Sequence, residues 1–213
     1  MRRVAFAALT SVLSGLTVIG AAQAPQAAGN KQTVIYFVRH GESNEADAAD
    51  PTHPLTAKGL ERANVFGSSV REVAFTHVFS SHTTRARQTV APAATDHGLG
   101  VTQLPKPGSF LNGAPVSDAT PSRLAVEPLV QALRRLPAGS RALVGVNADN
   151  IFAVMSGLGV PVAPAGSSCA PGSTCVPCVT NSCYPVREYD RYWILILADA
   201  EPVQLIALRY GTP

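Results

Sequence analysis

Thr33-Val-Ile-Tyr-Phe-Val-Arg39-His40-Gly41-Glu42 is the stretch from which the fold is read. Thr33 to Val38 is an unbroken run of β-branched and aromatic residues with no polar alternation, the pattern of a strand buried on both faces. Such a strand belongs to a mostly parallel sheet covered by helices on both sides, where ligands gather at the carboxyl ends of the strands. The run ends in Arg39-His40-Gly41, which sets a guanidinium and an imidazole at that rim, and Gly41 lets the backbone turn tightly. A neutral histidine nitrogen is a competent nucleophile toward phosphorus, and fixed cations beside it stabilise the oxygens of a phosphoryl group in transit.

The pattern around this strand alternates. Thr56 is a candidate N-cap for a helix from Ala57 to about Arg71, His77 to Ser80 forms a short strand, and Thr83 begins a helix running to about Asp96. Leu99 to Leu104 follows as a strand, then an irregular excursion from Pro105 to Pro121. Ser122 to Leu136 has helical apolar spacing, interrupted early by Pro128. Ala142 to Val146 is a buried strand, Asn150 to Leu158 is helical, and Tyr192 to Leu197 with Val203 to Leu208 makes a closing antiparallel pair. The expectation is a three-layer αβα sandwich. Arg85 then falls in the first turn of a helix at the same rim as His40, so that two arginines and a helix N-terminus converge on one anion.

The 213 residues carry 46% hydrophobic and 15% charged side chains, enough for one globular domain with its own core. Met1 to Ala24 has a basic start at Arg2 and Arg3, an apolar stretch from Val4 to Ile19 and small residues ending at Ala24, the layout of a secretory signal with cleavage around 22–28. Residues 31–213 are the expected domain. Without Arg2 and Arg3 the 17 Lys+Arg become 15 against 14 Asp+Glu, a net charge of +1. That balance, with no Lys/Arg run interleaved with aromatics, argues against nucleic acid as partner. No membrane association is expected after signal cleavage, and the sequence leaves the oligomeric state open.

Cys169, Cys175, Cys178 and Cys183 all lie in the Pro/Gly/Ser/Thr/Asn-rich stretch 161–185. In an exported chain an even, clustered set predicts two disulfides, with three connectivities open. The Cys175-Val-Pro-Cys178 spacing also suits a zinc knuckle or a redox pair, although the other spacings are irregular and no strand-then-helix context surrounds it.

The ordered motifs resemble the histidine phosphatase superfamily, also called phosphoglycerate mutase-like. They are Arg39-His40-Gly41-Glu42, Leu55-Thr56 with Gly59, Ser81 to Thr89 with its Arg-x-x-Gln-Thr core, Glu188-Tyr-Asp-Arg191 and Leu208-Arg-Tyr-Gly211. The resemblance implies a phosphoglycerate mutase-like α/β fold and a small phosphorylated substrate. It makes His40 the residue transiently phosphorylated, Arg39 and Arg85 the phosphate clamp, and Asn44 a further hydrogen-bond donor to the phosphate. It implies no cofactor and no metal, since the arginines supply the positive charge. The signal layout of Met1 to Ala24 implies export to a secreted or periplasmic location.

The sequence departs from the family at one position. A second histidine, expected in a Gly-His-Ser-Asn-Thr-like stretch, is replaced by Asn147. Asparagine can donate to a phosphoryl oxygen but carries no charge, and losing one charged donor costs on the order of a hundredfold in rate. The general acid has three candidates: Asp149, two residues after Asn147; Asp118 in the excursion; and Glu127. Asp149 is preferred for its strand-end position, against its alternative reading as a helix N-cap. Glu42 reads as structural, Arg87 as a surface residue facing away from Arg85, and His82 as a solvated loop histidine. His53, His77 and His97 show no ligand spacing. These residues predict a metal-independent phosphomonoesterase acting through phospho-His40. The alternatives are a catalytically weak or inactive phosphate-binding pseudo-phosphatase and, ranked last, a mutase-type phosphotransferase.

Overall fold

The computed structural model describes residues 32–43, 53–170, 174–178, 183–184, 188–198 and 201–211. The expected signal segment and Asn44 lie outside them. Strand β1 (Thr33–Arg39) leads through helix α1 (Ala57–Ser69) to β2 (His77–Ser81), and α2 (Thr84–Asp96) leads to β3 (Val101–Leu104). The excursion that reads as irregular contains a small hairpin, β4 (Phe110–Leu111) with β5 (Ala114–Pro115). A 3-10 turn, Ser122–Ala125, precedes α3 (Val126–Arg134). Pro128 therefore falls in the first turn of the α-helix, where its missing N–H is no loss, and it does not interrupt the helix. β6 (Arg141–Val146), α4 (Ile151–Gly157) and the antiparallel pair β7 (Arg191–Leu197) and β8 (Gln204–Arg209) complete the order.

The six-stranded sheet runs β3-β2-β6-β1-β7-β8. Its first four strands are parallel and β7 and β8 are antiparallel to their neighbours. This is the mostly parallel sandwich the sequence predicts. Alternate residues of β1 feed opposite cores. Ile35 and Phe37 pack with Leu129, Leu133, Ile151 and Met155 of α3 and α4, while Val38 packs with Phe66 and Val90 of α1 and α2. Thr56 caps α1, its hydroxyl accepting from Gly59 N at 3.1 Å. Gly145 of β6 decides how close α2 comes to the sheet: a Cβ there would sit 2.6 Å from the Ala86 carbonyl oxygen. The missing side chain brings the first turn of α2, and Arg85 with it, against the strand that ends one residue before Asn147.

All four cysteines are oxidised, as Cys169–Cys175 and Cys178–Cys183. This selects one of the three connectivities and overturns both the zinc and the Cys175/Cys178 redox readings, because neither Cys175 nor Cys178 has a free thiolate. Among the described residues no helix is long and apolar enough to cross a membrane.

Candidate active site

Register places the site. Arg39 of β1 lies opposite Val146 of β6, so the two next residues, His40 and Asn147, leave the sheet side by side. The His40 backbone N–H extends that pairing by donating to Val146 O at 2.9 Å. Thr89, on the second turn of α2, accepts from Gly41 N at 3.0 Å and donates to Arg85 O at 2.9 Å. Gln88 accepts from Leu55 N at 2.8 Å. The Arg-x-x-Gln-Thr core is thus a positioning device: one residue carries charge and two fix the turns on either side of it.

His40 is 5% exposed. Its Nδ1 lies 2.8 Å from Gly41 O, to which it donates, so the lone pair is on Nε2. Burial, then the charges of Arg39 and Arg85, lower its pKa from 6.5 to about 3. The imidazole is therefore neutral, with an Nε2 lone pair chemically able to act as a nucleophile, in the field of two cations. Arg39 is buried; its guanidinium carbon lies 4.1 Å from the centre of the Tyr189 ring and 5.1 Å from that of Tyr184, and Nη1 donates to Glu188 O at 3.1 Å. Planar contact of this kind fixes the guanidinium while leaving it charged. Sequence reasoning missed both tyrosines. Tyr189 stood inside the quoted Glu188-Tyr-Asp-Arg191 segment, whereas the only signal for Tyr184 was its place beside Cys183.

Asn147 is buried, and its amide is saturated. The orientation that satisfies every neighbour has its oxygen accepting from Arg85 Nη2 at 3.1 Å and Nε at 3.2 Å, and its nitrogen donating to Ser81 Oγ at 2.6 Å and Thr83 Oγ1 at 3.3 Å. The reverse would set amide N–H groups against guanidinium N–H groups. This corrects the expectation that Asn147 donates to a phosphoryl oxygen: its donors are already engaged, and it instead grips one edge of Arg85.

The turn carrying His40 is locked from behind. Glu42 accepts from Arg62 Nε at 2.8 Å and Nη2 at 2.7 Å and pairs with Lys58 at 3.3 Å. Burial alone would raise its carboxyl, but the Arg62 and Lys58 contacts outweigh it and bring the pKa down to about 2. Glu42 is structural, as expected. The same turn lies so close to α1 that a Cβ on Gly59 would fall 2.1 Å from Glu42 O.

The acid candidates separate. Asp149 is exposed at the rim, with Oδ2 accepting from Ser122 Oγ at 2.5 Å. It is not the N-cap of α4; Asn150 is, and its Oδ1 accepts from Asn147 N at 2.9 Å. Asp118 binds the start of α2, its oxygens accepting from Thr84 N at 2.8 Å and Thr84 Oγ1 at 2.6 Å. Glu127 is exposed on the first turn of α3 and bonded to Gln131, so its chemistry is spent on the helix surface. Arg87 is exposed, as expected. His82 corrects the solvated-loop expectation: it is fully buried, its Nε2 donating to Thr120 O at 2.7 Å. With Asp118 it ties the excursion to the start of α2.

Residues 35–106 match the family model described as histidine phosphatase superfamily (branch 1). No curated protein matches the chain. Among solved structures, the fold is similar to that of an Escherichia coli protein assigned as an alpha-ribazole-5'-P phosphatase, at TM-score 0.56 and 17% identity over 83% of this chain and 96% of that one. It is similar to phosphoglycerate mutase from Bacillus anthracis, at TM-score 0.55 and 15% identity over 84% and 93%. The protein histidine phosphatase SixA complexed with tungstate gives TM-score 0.53 and 16% identity over 83% and 96%. At these identities the likeness speaks to the fold.

Proposed function

We propose that the chain, which belongs to the histidine phosphatase superfamily, is an exported phosphomonoesterase that works without a metal through a phosphohistidine on His40. The observation that carries this reading is His40 itself: a buried, neutral imidazole whose Nδ1–H is committed to Gly41 O, flanked by two guanidiniums. A dianionic phosphate is attracted to that pair of charges and meets the Nε2 lone pair. Nε2 attacks phosphorus, the bond to the alcohol oxygen breaks, and the departing oxygen takes a proton from Asp149. Water then attacks the phosphohistidine and returns a proton to the Asp149 carboxylate. The P–N bond breaks, releasing inorganic phosphate and restoring His40. Arg39, held against two tyrosine rings, and Arg85, gripped by Asn147, stabilise the equatorial oxygens in both steps. Asn44 is proposed as a further donor to them.

One observation favours a second reading, a phosphate-binding module with little turnover. Asn147 carries no charge and its amide is spent on Arg85, Ser81 and Thr83, so the site holds one cation fewer than the family pattern. Hydrolysis of an aryl phosphate with chelator present, beside His40→Ala, separates the two. The phosphatase reading expects turnover that survives chelator, disappears in the variant, and leaves an acid-labile phosphoryl label on the wild-type chain after quenching. Phosphate binding with no turnover and no label would overturn it.

A further inference from the structure

Beside the rim lies a groove of about 310 Å³ between the start of α4 and the cysteine loop, walled by Ala148, Asp149, Phe152, Ala153, Val162 and Cys183. Its two walls are direct chain continuations of residues that touch the two arginines. Ala148 and Asp149 follow Asn147, which binds Arg85; Cys183 precedes Tyr184, whose ring lies against Arg39. Two residues of chain reach at most about 7 Å, so this lining begins within that distance of residues in contact with the two arginines. Phe152 is one of its lining residues, with its ring centre 5.4 Å from that of Tyr184. Among the described lining residues, which also include Ser156, none is Lys, Arg or His, and the sole ionisable one is Asp149.

We propose that this groove is the subsite for the alcohol half of the ester, and that it takes an uncharged aromatic or alkyl group. The proposal rests on reading His40 as the phosphate site, and it adds the substrate class. A second anionic group on the substrate would enter a groove whose described lining offers no cation to meet it, losing hydration without a partner. An apolar group gains instead, since each methylene taken from water adds about fourfold in affinity. The volume suits one or two rings. Asp149, read above as the acid, is itself one of the lining residues.

Binding to the inert His40→Ala variant tests the groove apart from the chemistry. Phenyl phosphate, 2-naphthyl phosphate, 3-phosphoglycerate and inorganic phosphate are titrated by calorimetry, then again in His40→Ala/Ala153→Trp, which puts an indole into the groove. The expected order is naphthyl over phenyl by about tenfold, with 3-phosphoglycerate no tighter than inorganic phosphate. The naphthyl advantage over inorganic phosphate should be lost in the double variant. Equal affinity for the two aryl esters, preference for 3-phosphoglycerate, or a naphthyl advantage that survives Ala153→Trp would overturn the proposal. Wild-type turnover is measured in parallel. A naphthyl preference without turnover supports the groove and defeats the phosphatase reading, while turnover without the preference does the reverse.

Discussion

Replacing Asn147 by aspartate changes one charge and almost no geometry. The variant carboxylate keeps an oxygen where Arg85 Nη2 and Nε now donate, at 3.1 and 3.2 Å. Its other oxygen takes the place of a nitrogen that donates to Ser81 Oγ and Thr83 Oγ1. Both hydroxyls can rotate and become donors, so no buried polar group is orphaned. The new negative charge lies one hydrogen bond behind Arg85, and a phosphate on the exposed edge of that guanidinium is then about 6 Å from it. At an effective dielectric of about 20 the repulsion is about 2.8 kcal/mol for each negative charge on the phosphate, so at least about a hundredfold. The expected outcome is a hundredfold weaker inhibition by inorganic phosphate and a similar loss of kcat/KM for an aryl phosphate. Melting temperature should be unchanged or higher, because the grip on Arg85 becomes an ion pair. Phosphate affinity within threefold of wild type would refute the placement of Arg85 in the anion site. A fall in melting temperature beyond about 5 °C would refute the assigned amide orientation.

Three further outcomes follow from the same geometry. Burial and the two arginines keep His40 neutral down to about 3, whereas the unfolded chain takes up that proton below about 6.5; stability is therefore constant above pH 6.5 from this group and falls below it. The loss reaches about 3 kcal/mol by pH 4.5. Urea midpoints at pH 7 and 4.5 should show it, and His40→Asn should shrink it; an equal fall in both proteins would sink the assignment. Gly59→Ala drives a methyl into the Glu42 carbonyl, 2.1 Å from where the Cβ must lie, and should cost about 3 kcal/mol and lower the melting temperature by roughly 10 °C; a drop under 3 °C would contradict the close approach. Peptide mapping of the unreduced chain should recover Cys169 with Cys175 and Cys178 with Cys183, and a Cys175–Cys178 link would contradict the loop.

Strand positions were legible because a doubly buried strand has no polar alternation to confuse it: β1 and β6 begin and end within a residue or so of where their apolar runs do. His40 and Arg39 were legible because they sit at the end of the first of those runs, and Arg85 because it falls in the first turn of the helix after β2. What the sequence hid were contacts between distant segments. Nothing in Ser122 to Leu136 announces that α3 starts late enough to admit Pro128, and composition cannot tell a loop histidine in water from His82, buried under Thr120. Asn147 stood out as a substitution, yet its role depends on Ser81, Thr83 and Arg85 closing around it, which only the packing of α2 at Gly145 brings about. The aromatic bed of Arg39 comes from segments beyond residue 183 that lie outside any strand or helix.

The order of the sheet has a consequence for how the molecule is made. β6 lies between β2 and β1, pairing Val34 with Arg141 and His77 with Ala142. The first half of the chain holds His40, Arg39 and Arg85, yet β1 and β2 are not neighbours and nothing sets the two arginines about the imidazole until β6 slides in between. Pairings across such separations form slowly compared with local helices, and domains emerge from synthesis N-terminus first. A nascent chain therefore carries His40, Arg39 and Arg85 before they are brought together, and the proposed reactivity toward phosphate would arrive with the last steps of sheet assembly.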